Sequence, residues 1–198
     1  LYYLEDDAMT DGTALREIAA DILTEILEKG QYAHLALFQA LSKYQYLEKA
    51  DRSFLKRIVD GTVEYKIQID YIINAYSKTK VHKMKPFIRT LLRMSVYQIY
   101  YMDRVPDSAA CNEAVRLAKK RGFSGLSGFV NGVLRSVARG KGKLTFPDDS
   151  VRYSMPDWIL SLWKENYGAE TTHRMAQAGL EKRPFMAVSY THLRAHET

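Results

Sequence analysis

The segment PDSAACNEAVRLAKKRGFSGLSGFVNGVLRSVAR, residues 106–139, carries the strongest structural signals in the chain. It predicts two short helices separated at Gly122, which can adopt the left-handed conformation that ends a helix. We expect Asp107 or Ser108 to cap the first helix, because a short side-chain oxygen accepts an orphan backbone N–H. Apolar residues recur at spacings of three and four in the second helix, at Leu126, Phe129, Val130, Val133, Leu134 and Val137. The segment is therefore predicted to be a helical hairpin with one buried side and a polar, basic outer edge.

Helical periodicity also dominates the sequence before this hairpin. Apolar residues follow it over residues 14–29, 34–47 and 51–76, with Asp51 as the expected cap of the third pattern. Gly61 predicts a close helix contact, because glycine inside a helix costs up to ~1 kcal/mol relative to alanine. No strand pattern of convincing length appears before Ala187, so we predict an all-α fold.

Pro86 is predicted to be the first residue of a helix over residues 86–103, because its missing N–H costs nothing at that position. This helix is apolar nearly all round, which places it at the centre of the core. A basic connector, residues 78–85, precedes it. We assign residues 13–140 to one domain.

The composition changes after this domain. Glycine and proline between residues 140 and 147 indicate a linker, which we place at residues 141–153. Ser154 is expected to cap the next helix, with Pro156 and Asp157 in its first turn. Both tryptophans follow, so residues 154–187 are predicted to be the helical start of a further region that has a small core of its own or docks onto another domain.

Both ends of the chain have an unusual composition. Residues 1–12 are predicted to be a disordered or non-native leader, because eight residues precede the first methionine. Residues 188–198 are predicted to be a non-native tail. His192 and His196 in that tail have helical spacing, but we do not expect them to bind a metal.

The 198 residues are 46% hydrophobic and carry a formal net charge of +6. That excess of positive charge favours an acidic partner such as nucleic acid, although many basic proteins bind none. A single cysteine, Cys111, excludes an internal disulfide. No apolar run approaches the ~20 residues of a membrane span, and no secretory signal opens the chain. These observations predict a soluble, cytoplasmic protein.

The basic residues of the hairpin are the main candidates for binding. The run Lys119-Lys120-Arg121 would form one basic face with Arg135, Arg139, Lys141 and Lys143 if the two helices fold back on each other. Such a face either binds phosphates or is an ordinary solvated surface. The glycines at 122, 125, 128 and 132 either admit a nucleic-acid backbone or allow close helix contact, and contact is favoured for Gly128 and Gly132. Arg16 is a weaker candidate phosphate contact.

Catalytic signals are absent from the sequence. It has no glycine-rich cofactor loop, no P-loop and no histidine or cysteine pair at metal-ligand spacing. Cys111 is interpreted as a small packing residue rather than a nucleophile, because no histidine lies near it in sequence. Glu113 is either an acid–base group or, as we prefer, a structural one. We predict no catalytic, cofactor-binding or metal-binding residue in this chain.

The amino-acid sequence of the hairpin resembles a known family signature. The matching residues are Asn112-Glu113-Ala114-Val115, Ala118-Lys119, Gly128-Phe129-Val130-Asn131-Gly132-Val133-Leu134-Arg135, and the upstream Leu91-Leu92-Arg93-Met94-Ser95-Val96-Tyr97-Gln98 with Pro106. This pattern resembles the NusB-like RNA-binding domain, over roughly residues 13–140. The resemblance implies an all-helical domain of two packed bundles that binds RNA.

Two branches of that family differ in what they imply. The continuation past Arg139, FPDDSVRYSMPDWILSLWKENYG followed by EKRPFMAV, looks like the branch of 16S rRNA cytosine-C5 methyltransferases called RsmB or Sun. Membership of that branch implies an S-adenosylmethionine-dependent enzyme whose catalytic cysteines and cofactor loop lie in a domain absent from this chain, so the chain itself would be a truncated, catalytically incomplete piece. The alternative is a stand-alone NusB-type antitermination factor, which binds RNA with ribosomal protein S10.

The resemblance assigns RNA contacts only to basic positions that match it. These are Arg16, Lys119, Lys120, Arg135 and Arg139. Arg93 also lies in a matching motif, but we interpret it as a buried structural partner of Glu113. The expected partner is 16S rRNA, with no membrane or metal, and S-adenosylmethionine is implied only for the full-length parent.

Overall fold

A computed structural model describes residues 12–181, all of whose regular elements are helical. The predicted tail, residues 182–187 and all of the predicted leader except Gly12 lie outside the described residues. This part of the chain contains ten α-helices, in chain order: α1 Gly12–Leu27, α2 Ala33–Lys43, α3 Lys49–Glu64, α4 Lys66–Tyr76, α5 Pro86–Tyr101, α6 Asp107–Lys120, α7 Ser127–Gly140, α8 Asp149–Tyr153, α9 Asp157–Tyr167 and α10 Ala169–Leu180. The all-α prediction is therefore confirmed.

Helix α5 is the centre of the core. It begins at Pro86, as predicted, and its residues 88 and 90–99 are all buried. On one side it packs against α1 and α3, which also contact α2, and on the other side against α4, α6 and α7. The two packed helical bundles share this helix, so α6 and α7 pack against the buried centre of the fold.

Two glycines allow tyrosine rings to approach a helix backbone. A Cβ at Gly61 of α3 would overlap the ring of Tyr97 of α5, which confirms the close contact predicted there. A Cβ at Gly140 would overlap Tyr76, whose hydroxyl donates to the Gly140 carbonyl at 3.0 Å. The second contact ties the end of α7 to α4.

Arg93 is buried, but its predicted partner was wrong. Its guanidinium donates to both carboxylate oxygens of Asp70, at 2.7 and 2.9 Å, and to Glu28 at 3.3 Å. Glu113 instead accepts from Thr13 and pairs with Arg116 at 3.1 Å. The burial of Arg93 follows from its place on α5, whereas its partners lie just after α1 and on α4, far from it in sequence.

The predicted side-chain caps were also wrong. Helix α3 begins at Lys49, before Asp51, and α6 and α9 begin directly after Pro106 and Pro156 with no capping hydrogen bond from a side chain. Ser154 has a left-handed backbone, φ 49°, and its hydroxyl accepts from the Ile67 amide at 3.1 Å. The residues expected to be caps therefore lie inside helices, except for Ser154. Ser154 follows α8 and links it to α4 through the Ile67 amide.

The predicted linker contains the short helix α8. Asp148 caps it, accepting from the Val151 amide at 2.8 Å, and Gln68 of α4 donates to the carbonyls of Val151 and Arg152. Helices α9 and α10 pack on each other and on α8. The segment after residue 140 is thus attached to α4 through α8.

Candidate nucleic-acid interface

An open groove lies between the exposed sides of α6 and α7. Its volume is about 350 Å³. The side chains and backbone that line it come from Asn112, Val115 and Lys119 of α6 and from Ser127, Gly128, Asn131 and Arg135 of α7. These seven residues, called the groove below, include two cations and no carboxylate.

The helical repeat explains why these residues share one surface. Asn112, Val115 and Lys119 follow one another at spacings of three and four, as do Gly128, Asn131 and Arg135. Residues at such spacings lie on the same face of a helix. The apolar residues on the opposite faces of these helices point into the core, among them Ala114, Leu117, Val130, Val133, Leu134 and Val137. Burial of one face of the hairpin therefore exposes the other as a polar groove.

Only long hydrogen bonds connect the polar side chains that line the groove. The Arg135 guanidinium donates to the Asn131 side-chain oxygen at 3.4 Å and to that of Asn112 at 3.3 Å. Both distances are long for an N–H···O bond, and both side-chain oxygens belong to neutral amides. Within residues 12–181, Lys119 makes no ion pair with a carboxylate. Among the described residues, no carboxylate pairs with either of the two cations in the groove.

The other side of α6 has the opposite character. Lys120 and Arg121 pair with Glu17 of α1 at 2.5 and 2.9 Å, and Arg121 also pairs with Asp21 at 2.5 Å. These four residues are called the clamp below. Hydrogen bonds and charge from Lys120 and Arg121 hold the pKa of Glu17 below its ordinary value, despite an opposing contribution from burial. The cations of the clamp are already neutralised within the protein.

The structure thus divides the predicted binding residues. Only Lys119 and Arg135 meet in the groove, and Lys120 belongs to the clamp. Arg16 is half-buried on α1, where it donates to Gln98 at 2.7 Å and lies 5.2 Å from the centroid of the Phe54 ring. Arg139 is exposed in the last turn of α7 and donates to Ser136 at 3.4 Å. The basic residues therefore do not form the single face that the sequence suggested, because carboxylates of α1 pair with Lys120 and Arg121.

Gly128 and Gly132 do not mediate the helix contact that the sequence favoured. Both are exposed, and a Cβ at either position would meet nothing within 4 Å. The face of α7 that carries them points away from the core, because the apolar stripe is turned towards α5 and α6. The alternative interpretation, access for a bound backbone, fits their position.

Sequence reasoning missed the neutral polar residues of the groove. The contacts predicted from the sequence do not include Asn112, Ser127 or Asn131. Their spacing relative to Lys119 and Arg135 was the available signal, because it put them on the same helical faces. All of the contacts predicted from the sequence are basic residues.

The surroundings of Cys111 and Glu113, the two residues weighed as catalytic groups, indicate structural roles. Cys111 is buried in the core, as predicted for a packing residue, and burial raises the pKa of its thiol. A protonated thiol is a poor nucleophile. Glu113 is bonded to Thr13 and Arg116. Among residues 12–181, no group of three histidine, cysteine, aspartate or glutamate side chains is placed to hold a metal ion, and no helix is long and apolar enough to span a membrane.

Comparison with known proteins shows the family. The NusB family model matches residues 13–139, a stretch that contains the groove and the clamp. The chain belongs to the NusB family. The RNA-bound complex of the antitermination factors NusB and NusE contains a chain with the same fold, at a TM-score of 0.60 and 21% identity, over 65% of this chain and 96% of that one.

Two kinds of curated relative are similar to this NusB-family chain. The probable ribosomal RNA small subunit methyltransferase B of Bacillus subtilis is 36% identical over 174 residues, which are 85% of this chain and 38% of that protein. The transcription antitermination protein NusB of Symbiobacterium thermophilum is 35% identical over 144 residues, which are 69% of this chain and 94% of that protein. The chain therefore spans well under half the length of the methyltransferase relative.

Proposed function

We propose that this chain is the RNA-binding part of a small-subunit ribosomal RNA cytosine-C5 methyltransferase and that the groove between α6 and α7 holds the RNA. The observation that carries the proposal is the pair of cations in the groove, Lys119 and Arg135, with which no carboxylate in the described part of the chain forms an ion pair. Phosphate groups of RNA are the counter-charges that such a site recognises.

The other groove residues suit an RNA backbone. The side-chain amides of Asn112 and Asn131 both donate and accept hydrogen bonds, so they can bond a ribose hydroxyl or a base edge. Gly128 presents no side chain, and a phosphate or sugar can come close to the start of α7 there. The early backbone N–H groups of α7 add donors for a phosphate.

The extension after residue 140 favours the methyltransferase branch. A match over 85% of the chain has to continue past residue 139, where the family model ends. The antitermination relative is covered over 94% of its own length by a match to only 69% of this chain. The match to the methyltransferase relative therefore extends into the region of α8 and α9, which supports that branch.

The role proposed for residues 12–181 is to bind and orient RNA. S-adenosylmethionine is the methyl donor we propose for the whole protein, because the relatives are named as ribosomal RNA methyltransferases. The cysteine chemistry expected of that class is assigned to the part of those relatives that this chain does not span. Cys111, buried beneath the groove, takes no part in it.

RNA titration of the wild type and of Lys119→Ala/Arg135→Ala tests the proposal. A fluorescent single-stranded fragment of 16S rRNA should bind roughly tenfold or more weakly to the variant, since each charged hydrogen bond contributes about 1.5–3 kcal/mol. The matched control is Lys49→Ala/Lys164→Ala, which removes the same charge from exposed positions on α3 and α9. Equal affinity of the groove variant and the wild type would show a helical scaffold with no RNA role for the groove.

A second candidate function is that of an antitermination factor. It is supported by the 35% identity to NusB of Symbiobacterium thermophilum and by the fold shared with a NusB chain bound to NusE and RNA. This function predicts that the chain retains ribosomal protein S10 in a pull-down. Retention of S10 by the purified protein would favour it, and its absence would favour the methyltransferase branch.

A further inference from the structure

A second cationic surface lies outside the groove, on the connector between α4 and α5. Residues 78–85 display four lysines and one histidine to solvent, and the segment contains no acidic residue. The exposed cations are Lys78, Lys80, Lys83 and Lys85, with His82 between them. This set of side chains is called the connector below.

The backbone of the connector is fixed between buried anchors. Val81 and Met84 are only 3% and 6% exposed, and the Val81 amide donates to the Asn74 side chain at 2.9 Å. The Ser77 hydroxyl donates to the Thr79 carbonyl at 2.8 Å. The buried anchors fix the backbone from which the lysines extend, so less backbone freedom is lost when the lysines bind a ligand.

The charge of the connector is not neutralised within the described part of the chain. None of its four lysines forms an ion pair with a carboxylate of residues 12–181, whereas Lys29, Lys56, Lys66 and Lys120 each do. Lys80 only reaches the Asn74 carbonyl, at 3.5 Å. Four lysines within eight residues therefore produce a strong local positive potential.

The connector meets the α6–α7 turn at an aromatic pair. The Lys85 ammonium lies 5.6 Å from the ring centroid of Phe123, the residue that follows Gly122. Phe123 stacks on Phe87 with centroids 5.5 Å apart, and Arg121 covers the other ring at 5.6 Å. Both rings are half-buried. Ser127, at the near end of the groove, is four residues beyond Phe123, so the turn joins the two cationic surfaces.

We propose that the connector is a second RNA contact region and that a single strand bound in the groove continues across Phe123 onto Lys85, Lys83 and Lys80. The inference rests on the proposed RNA binding of the groove and extends it to a longer ligand. RNA is favoured over an acidic protein because the cations flank two half-buried aromatic rings, a combination that suits phosphates and bases together. The connector contacts phosphates and is not expected to read sequence.

Binding of long and short RNA tests this path. We compare oligouridylates of about 4 and about 16 nucleotides, lengths that bracket the sites of single-strand-binding domains. For Lys80→Gln/Lys83→Gln/Lys85→Gln, the affinity for the long strand should fall about tenfold, and the slope of log K against log salt should become shallower by about 2, or roughly 0.7 per lost contact. The affinity for the short strand should stay within about twofold of the wild type, because the groove alone holds it.

The control variant is Lys43→Gln/Lys49→Gln/Lys164→Gln, which removes three charges from exposed positions on α2, α3 and α9. An equal loss in this control would overturn the inference, because it would show a general charge effect. Equal losses for both RNA lengths, or unchanged RNA affinity with weakened binding of a polyglutamate peptide, would also overturn it. If Lys119→Ala/Arg135→Ala binds both strands as the wild type does, the proposed function of the groove fails separately.

Discussion

The two sides of helix α6 show how similar residues acquire different roles. The clamp and the groove both use cations of the same hairpin, and Lys119 and Lys120 are neighbours in sequence. In the clamp, Glu17 and Asp21 of α1 neutralise Lys120 and Arg121. In the groove, the facing helix α7 supplies Asn131 and Arg135, so positive charge remains available.

This difference shows that an ion pair inside the protein and a phosphate contact compete for the same cation. The clamp fastens α1 to α6, whereas the groove leaves its cations for a ligand. Exposed ion pairs contribute only about 0–1 kcal/mol to stability, so the clamp has a modest structural effect. The groove should affect stability little and RNA binding strongly.

The largest effect is expected from turning the groove into a second clamp. The variant Asn112→Asp/Asn131→Asp places carboxylates beside Arg135, whose guanidinium already contacts both amides. RNA affinity measured by fluorescence anisotropy should fall by more than about tenfold, because the new carboxylates neutralise the site and repel phosphate. Thermal unfolding should be unchanged or slightly raised. An RNA affinity equal to that of the wild type would show that the two surfaces do not differ in this way.

The open glycines distinguish the groove from the packed parts of the fold. In Gly128→Ala/Gly132→Ala, the free energy of unfolding should rise by up to roughly 1 kcal/mol per substitution, because alanine favours a helix more than glycine does. RNA affinity should fall several-fold if the backbone of the RNA lies against α7. Urea unfolding and RNA titration of the same preparation measure both quantities. Higher stability with unaltered RNA affinity would mean that the RNA does not approach these glycines.

Breaking the clamp should lower the stability of the fold and slightly raise its affinity for RNA. Glu17→Gln removes the carboxylate that both Lys120 and Arg121 contact. The free energy of unfolding should fall by no more than about 1 kcal/mol. RNA affinity should rise slightly, since two cations next to Lys119 lose a partner. Loss of RNA affinity in this variant would assign the clamp, rather than the groove, to RNA.

The smallest effect is a pH dependence that belongs to the clamp. The pKa of Glu17 is lower in the folded protein than its ordinary value of 4.5, chiefly because Lys120 donates to its carboxylate. A lowered folded pKa stabilises the fold above the unfolded value, and that stabilisation is lost as the pH falls through the folded pKa. The stability difference between wild type and Glu17→Gln should therefore be constant above pH 5 or so and shrink below 4.5. A difference that grew on acidification would contradict the ion pair.

Local patterns in the sequence were sufficient for much of the fold. The start of α5 at Pro86, the helical hairpin and the contact at Gly61 follow from residue spacing and backbone chemistry, and all three are observed. The predicted caps of α6 and α9 were wrong because Pro106 and Pro156 already set the backbone before these helices, which start without a side-chain cap. A capping motif states only that a side chain is able to bond there.

The candidate site was less accessible to sequence reasoning. Lys119 and Lys120 are chemically identical neighbours, and only the packing of α1 against α6 separates them. Glu17 lies 103 residues from Lys120. The partners of Arg93 were misassigned for the same reason, because Glu28 and Asp70 lie 65 and 23 residues away from it in sequence. Pairings between distant residues depend on the tertiary fold, which periodicity does not specify.

Photo-crosslinking to RNA tests the central claim most directly. Cys111 is 1% exposed, so a benzophenone maleimide should label a newly introduced surface cysteine selectively. The reagent is attached in Gly128→Cys, within the groove, and in Gln39→Cys, which lines a depression together with Asp21 of the clamp. The account predicts that 16S rRNA fragments crosslink at position 128 and not at position 39, with competition by unlabelled RNA. Crosslinking at position 39 alone, or equally at both positions, would contradict the assignment of the groove as the RNA site.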